Sequence, residues 1–436
     1  MTDRNVLPSS ANNPQAAPRK KLNILLNPVG SAGDVHPLAG LGAALKARGH
    51  DVTFITNDYF QPLAEGLGLT FIPMGTRAEF EAVLHHPDAW HPRKALDLIF
   101  RTVIEKTLTQ TVETVQRLNQ PGRTVVVGTS LALGTRVAQD WLKIPTVSVH
   151  LAPSIFRSSY VVPRFSGLGF MRVLPSFARN WMWRVIDALV VDRALAGPLN
   201  EFRAKLGLPR VKRIMHDWWH SPLRVIGLFP PWFGPPQPDW PAQTVLTGFP
   251  MFDERELHGL APEVEAFLAQ GDKPLVFTPG SAMLQGEKFF AAAAAACAKL
   301  GRRGILLTRF PEQIPHELPA GVRHFSYVPL SAILPRAAAM VYHGGIGTCA
   351  QALAAGVPHL ITPMAHDQHD NAARIRRLGV GAELEMSRVT AASLSRALGS
   401  LLSDLEMPGR CNELAQRMAQ ERPIEKTCAL IEEAAS

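Results

Sequence analysis

The residues best suited to chemistry lie in Met340-Val341-Tyr342-His343-Gly344-Gly345-Ile346-Gly347-Thr348 and in the stretch running on to Asn371. Ala339 to Val341 is short and apolar, as a buried strand is, and Thr348 to Ala355 supplies helix formers that stop at Gly356. A helix starting at a strand tip presents unpaired N–H groups and the positive end of its dipole. The intervening glycines let a diphosphate approach the backbone. His343 and Thr348 flank that anion site, with Gly345 and Gly347 in the turn. The same glycines also suit a purely structural βα turn, so this motif alone leaves both readings open.

Three further places carry polar groups at expected strand ends. Gly30-Ser31-Ala32-Gly33-Asp34-Val35-His36-Pro37 follows a buried strand, and Asp34 there could cap the helix expected after it. Phe277-Thr278-Pro279-Gly280-Ser281 ends another strand, where Ser281 could donate to a phosphate oxygen or simply sit in an ordinary turn. His36 and His150 are weaker candidates, since a lone histidine is more often a core or loop residue. The cluster His366-Asp367-x-His369-Asp370 could be imagined around a metal, but a sugar-binding role explains Asp367 and Gln368 better and no metal is expected. No Asp-x-Asp, Gly-x-Ser-x-Gly or P-loop motif is present.

Two β/α series must position these residues. Leu22 to Leu26, Asp51 to Thr56, Thr70 to Pro73, Thr124 to Val127 and Thr146 to Val149 read as strands with helices between, one of them from about Leu38 to Arg48. A second series runs through Leu275 to Thr278, Gly304 to Thr308, Arg323 to Tyr327, Met340 to Tyr342 and His359 to Thr362. Such alternation predicts an α/β fold of two Rossmann-like, doubly wound parallel sheets, with ligands outside the carboxyl ends of the strands. Between the series, Met171 to Leu195 has apolar residues at helical spacing (Leu174, Phe177, Trp181, Val185, Leu189), and seven prolines from Pro230 to Pro250 mark a linker. The expected division is a disordered tail over 1–21, an N-terminal acceptor domain over 22–229, a linker over 230–253 and a C-terminal donor domain over 254–436.

A chain of 436 residues suits two domains of this size. The four cysteines, Cys297, Cys349, Cys411 and Cys428, show no paired or ligand-like spacing, which points to free thiols in a reducing compartment. The tail lacks an apolar core, so it is no signal peptide, and no apolar run is long enough to span a bilayer; a cytoplasmic protein is expected. Charge is uneven. From Arg157 to Arg213 there are eleven Arg and Lys against Asp187, Asp192 and Glu201, so this segment carries the chain's whole net charge of +8. Its aromatic residues, among them Phe177 and Trp181, make an anionic amphiphile or a membrane surface a better partner than nucleic acid. A solvated basic helix face is the plainer alternative.

Taken together, His343-Gly344-Gly345-x-Gly347-Thr348, Gly356-Val357-Pro358, Asp367-Gln368 and Asn371 resemble the donor signature of GT-B glycosyltransferases that use nucleotide diphosphate sugars. The resemblance implies that His343 and the Gly345 to Thr348 turn hold the diphosphate and that Asp367 and Gln368 reach the sugar hydroxyls. Asn371 lies one turn further on the same side. It also implies that Tyr327 stacks on the base, that Val328 offers its backbone, and that Asp34 on the acceptor-facing loop is the general base. Within that family the chain is similar to the catalytic subunits of bacterial rhamnolipid rhamnosyltransferases, in Val211-Lys212-Arg213-Ile214, His220-Ser221-Pro222 and the linker's Pro-Pro-Gln-x-Asp-Trp-Pro run. That likeness implies an inverting, metal-independent transfer of L-rhamnose from dTDP-L-rhamnose to the hydroxyl of a 3-(3-hydroxyalkanoyloxy)alkanoate, with no cofactor besides the nucleotide sugar. His36, His150, Phe177 and Trp181 would then line the acceptor side. Contact with the inner membrane or with the acceptor-synthesising enzyme is a further expectation, and another apolar aglycone (polyketide, macrolide or sterol-like) or a non-catalytic lipid-binding role are the alternatives.

Overall fold

The computed structural model describes residues 20–86, 88, 98–165, 167–252, 259–280 and 286–435. Strands β1 (Asn23–Asn27), β2 (Asp51–Thr56), β3 (Thr70–Pro73), β4 (Thr124–Thr129), β5 (Thr146–His150), β6 (Arg224–Gly227) and β7 (Thr244–Leu246) form one sheet. Its order is β3-β2-β1-β4-β5-β6-β7, and every pairing is parallel. A second parallel sheet, ordered β10-β9-β8-β11-β12-β13, contains β8 (Leu275–Thr278), β9 (Gly304–Leu307), β10 (Val322–Phe325), β11 (Ala339–Tyr342), β12 (His359–Ile361) and β13 (Gly381–Glu383). Helices cover both faces, so β1, β4, β5 and β11 are buried along their whole length, with Val, Ile and Leu prominent in β1 and β4. The strand order reverses at β1/β4 and at β8/β11, and the glycine turns after β1, β8 and β11 stand at those two switch points.

The helices used below are α1 (Ala32–Ala47), α2 (Glu105–Leu118), α3 (Ser176–Ile186), α4 (Asp192–Lys205), α5 (Ile346–Ala354), α6 (Gln368–Arg377) and α7 (Pro423–Glu433). α1 begins at Ala32, six residues before the expected start at Leu38, because Ser31 ends the turn and Pro37 removes only one intrahelical N–H donor. The segment 230–253 is not a plain linker. Thr244–Leu246 adds β7 to the edge of the first sheet, and Phe229, Phe233 and Phe249 are buried in the core of the second domain. Arg374 and Arg377 donate to the Phe233 carbonyl at 3.0 and 2.8 Å, which ties this crossover to α6.

Met171 to Leu195 differs more. It breaks at Pro175 and turns with a wider pitch over Asp187–Val191, and the apolar row that helical spacing suggested faces outward: Phe177 is 77% exposed, Trp181 62% and Leu189 65%. Trp183 is the buried ring instead, donating to the Ser158 carbonyl at 2.9 Å beneath the Arg157 guanidinium. At the C-terminus, α7 returns to the first domain. Its Cys428 and Ile431 are buried among Leu22, Ile24 and Leu45, and Glu432 accepts from Arg48 and pairs with His50, each at 3.0 Å.

Candidate functional site

On the C-terminal side, β11 delivers His343 to the switch point and Gly345 starts α5. The imidazole is wedged between two glycines. A Cβ on Gly345 would lie 2.5 Å from Nε2, and one on Gly280 would lie 2.9 Å from Cε1. Burial, and then the charge of His366, pushes the ring's pKa down to about 4, so His343 is neutral at pH 7, and its Nδ1 is buried with no partner. Thr348 stands in the first turn of α5, and the space over Gly347 is open, with nothing within 4 Å of a Cβ placed there. A dipole end, an unused imidazole nitrogen and open space together make an anion cradle. Below it, the buried Tyr342 hydroxyl lies 3.0 Å from Cys349 Sγ and 2.8 Å from His359 Nδ1, bracing the turn from the core side.

Asp367 precedes α6. Burial pushes its carboxyl up to about 6; the Asn371 hydrogen bond works against this, and the charge of Asp34 adds to it. Asn371 is wholly buried, donating to Asp367 Oδ2 at 2.8 Å and to the Gly344 carbonyl at 2.9 Å, so it positions Asp367 and the glycine turn, while its Oδ1 has no partner. Gln368 is buried too, and its Oε1 accepts from the backbone of Met364 and Ala365 at 2.8 and 3.1 Å. Asp367, an expected sugar contact, is half-buried and feels the charge of Asp34 in the other domain. Tyr327 is 39% exposed with Arg309 over its ring, and the Val328 side chain is buried. Ser281 lies outside the described residues.

On the N-terminal side, Asp34 occupies the third position of α1. Ser31 N and Oγ both donate to its Oδ2, at 2.9 and 3.3 Å, which leaves Oδ1 unused by the turn. Gly30 makes this possible, since its φ is +141° and a Cβ there would collide with Oδ2 at 2.2 Å. Burial pushes the carboxyl up to about 6, with the Ser31 hydrogen bonds opposing the shift. Ser31, not Asp34, is the N-cap. Asp34 and Asp367 thus oppose each other across the cleft, one from each domain.

His36 is half-buried and sits edge-on to Phe252 at 6.3 Å. His150, expected on the acceptor side, is instead fully buried, with Nδ1 2.8 Å from Ser130 Oγ and Nε2 2.9 Å from His220 Nδ1. Burial holds both rings neutral, that of His220 at about 4. Phe177 and Trp181, expected on the acceptor side, are exposed on α3. A cavity of about 510 Å³ lies instead between α2 and α4, walled by Phe100, Leu108, Leu133 and Leu195, with Arg101 and Arg193 among its lining. Leu133 follows β4 and shares a buried apolar cluster with Val29, which precedes the turn that carries Asp34.

Spacing along the chain gave no sign of the contacts between domains. Arg164 N donates to Asp370 Oδ1 at 2.9 Å while its guanidinium holds Glu383 at 2.7 Å. Arg309 donates to the Tyr59 hydroxyl at 2.8 Å. Among the described residues, His369, Glu383 and Glu385 bring ligand atoms within 4.8 Å of one another, but Arg164 and Arg376 already occupy Glu383, so this is an ion-pair network.

The glycosyltransferase family 28 N-terminal domain matches residues 24–161, and the erythromycin biosynthesis protein CIII-like C-terminal domain matches residues 306–432. O-mycaminosyltylonolide 6-deoxyallosyltransferase of Streptomyces fradiae is 30% identical over 445 residues, covering 94% of this chain and 97% of that protein. The glycotransferase of kitacinnamycin superposes with a TM-score of 0.75 at 22% identity, over 96% of this chain and 100% of that one. The spinosyn rhamnosyltransferase SpnG, solved with thymidine diphosphate, superposes with a TM-score of 0.66 at 18% identity, over 94% and 100% of the two chains. None of these is a rhamnolipid enzyme, and at such identities the two structures speak for the fold alone. No helix among the described residues is long and apolar enough to cross a membrane. Two parallel sheets, each with glycine turns at its switch point, matched domain by domain and end to end at 30% identity, show that the chain belongs to the GT-B glycosyltransferases.

Proposed function

We propose that the protein transfers a 6-deoxyhexose, L-rhamnose from dTDP-L-rhamnose, to the hydroxyl of a large apolar acceptor, with inversion at the anomeric carbon. The observation that carries this reading is the pairing of Asp34 with the His343 cradle across one cleft. The diphosphate lies at the start of α5, its charge met by the dipole, by backbone N–H groups and by the His343 N–H, without need of a metal. Asp34 Oδ1 takes the proton of the acceptor hydroxyl; that oxygen bonds to the anomeric carbon as the bond to the diphosphate oxygen breaks and dTDP leaves. Asp367, positioned by Asn371, accepts from the sugar hydroxyls.

For the acceptor we favour a 3-(3-hydroxyalkanoyloxy)alkanoate, because a cavity in the same domain as Asp34 joins apolar walls to Arg101 and Arg193, as a lipid carboxylate requires. A macrolide or other polyketide aglycone is the second reading, favoured by the 30% identical relative named for O-mycaminosyltylonolide. The test is product mass spectrometry of the purified protein given dTDP-L-rhamnose with each acceptor in turn. A rhamnosyl adduct of the hydroxy-acid ester supports the first reading; an adduct of the macrolide alone replaces it with the second.

A further inference from the structure

The outward face of α3 and its continuation is unlike a solvated helix. Phe177, Trp181, Arg184 and Ala188 follow at spacings of four, three and four, which places them on one side, opposite the buried Trp183. Val173, 85% exposed, precedes the same helix. Arg172, Arg184 and Arg193 are exposed around it. The acidic residues of this stretch turn inward instead: Asp187 is buried against Arg157, and Asp192 accepts from the backbone of Arg213 and Ile214. Apolar patches of this kind mark interaction sites rather than ordinary surface.

We propose that this face docks on an anionic phospholipid surface. Aromatic rings flanked by arginine suit the headgroup boundary, where rings enter the interface and guanidinium groups meet phosphate. A second copy of the chain is disfavoured, because a self-complementary contact centred on this face would bring its arginines together. The cavity between α2 and α4 adds an independent reason. Leu189 and Val190, exposed residues that line it, sit on the continuation of α3, so the cavity has an apolar mouth on the same element that carries the face. The docking stands on the surface itself and does not depend on which acceptor is used.

The full-length protein would be floated with vesicles of phosphatidylcholine alone and of phosphatidylcholine mixed with phosphatidylglycerol. Binding to the mixed vesicles, weakened by salt and accompanied by a blue shift of tryptophan emission, is the expected result. Phe177→Ser with Trp181→Ser should abolish it without loss of folding, since both rings are exposed. Arg172→Gln with Arg184→Gln should weaken it roughly thirtyfold, at about one kcal/mol for each arginine, while leaving transfer to a detergent-dispersed acceptor unchanged. Failure to bind the mixed vesicles, equal binding to both kinds, or a dimer in sedimentation that Trp181→Ser dissolves would each overturn the proposal. Loss of transfer with vesicle binding intact would count against the proposed reaction alone.

Discussion

Asp34 carries two demands on one carboxylate. Its Oδ2 serves the start of α1 through Ser31, while Oδ1 is unused by the turn, and burial holds its pKa near 6, close to working pH. Asp34→Asn keeps the size and the acceptor for Ser31 N, so it should fold and bind dTDP normally yet lose roughly 10²–10⁴-fold in turnover. The folded-state pKa is raised above the ordinary 3.8, so the folded protein binds the proton more tightly and this group's contribution to stability falls as pH rises from about 4 to 6. The Asn variant should therefore melt higher than the parent above pH 6, with the gain shrinking below pH 4; an earlier melt with turnover intact would make Asp34 a purely structural residue. For the parent, kcat/KM should fall as pH drops through about 6 and Asp34 takes up its proton. Affinity for dTDP should move the opposite way, because protonating Asp367 removes repulsion and a bound diphosphate raises the His343 pKa from about 4. Calorimetry between pH 5.5 and 7.5, taken as an order-of-magnitude window around those pKa values, checks this: affinity that weakens on acidification would contradict the cradle. Since His343 is neutral, His343→Ala should cost about 0.5–1.5 kcal/mol of dTDP binding, less than a charged donor would.

Within the elements, the turn from β11 into α5 works because Gly280 and Gly345 leave a slot the width of an imidazole. Gly345→Ala introduces no forbidden backbone angle, since φ there is −60°. Its methyl would nevertheless lie 2.5 Å from His343 Nε2 and push the ring out of the slot. The expected outcome is at least a tenfold loss of dTDP affinity, about 1.4 kcal/mol, with thermal stability changed little. If melting drops and affinity does not, the slot is only packing. Tyr342, Cys349 and His359 would take part in that case, because their buried contacts lie directly beneath the turn.

Across the whole molecule, the two domains are held by contacts that bear on the site. Arg164 reaches from the first domain to Asp370 and Glu383 in the second, and Asp370 lies three residues from Asp367 in the same helix start. Arg164→Ala would leave the Glu383 carboxylate, 6% exposed, with Arg376 as its remaining cationic partner. It should destabilise the protein by about 1–3 kcal/mol and lower kcat more than dTDP affinity, because closure brings Asp34 to the donor while the cradle lies in one domain. Calorimetry and steady-state rates on the same preparation separate the two effects. Equal losses in both would mean that the clasp holds the donor itself.

The amino-acid sequence by itself determined five strands of each sheet and the glycine turns after β1, β8 and β11, because strand alternation, helix stops and the need for an unhindered backbone are local properties; the strands β6, β7 and β13 are too short and too weakly patterned to read that way. It also marked Asp34, His343 and Asp367, whose neighbours in the chain are the turns that place them. It could not say which side of α3 is the core, since Phe177, Trp181 and Trp183 all read as apolar; packing against Ser158 and Arg157 chose Trp183. Nor could it show that His150 is buried against Ser130 and His220, or that Asn371 and Gln368 serve their own helix start, because those partners are chosen in three dimensions. The opposition of Asp34 to Asp367, 333 positions apart, exists only once the domains face each other. Tertiary structure decided it by stripping water from two carboxylates at once, which raises both pKa values into the range where acid–base chemistry near neutral pH is possible.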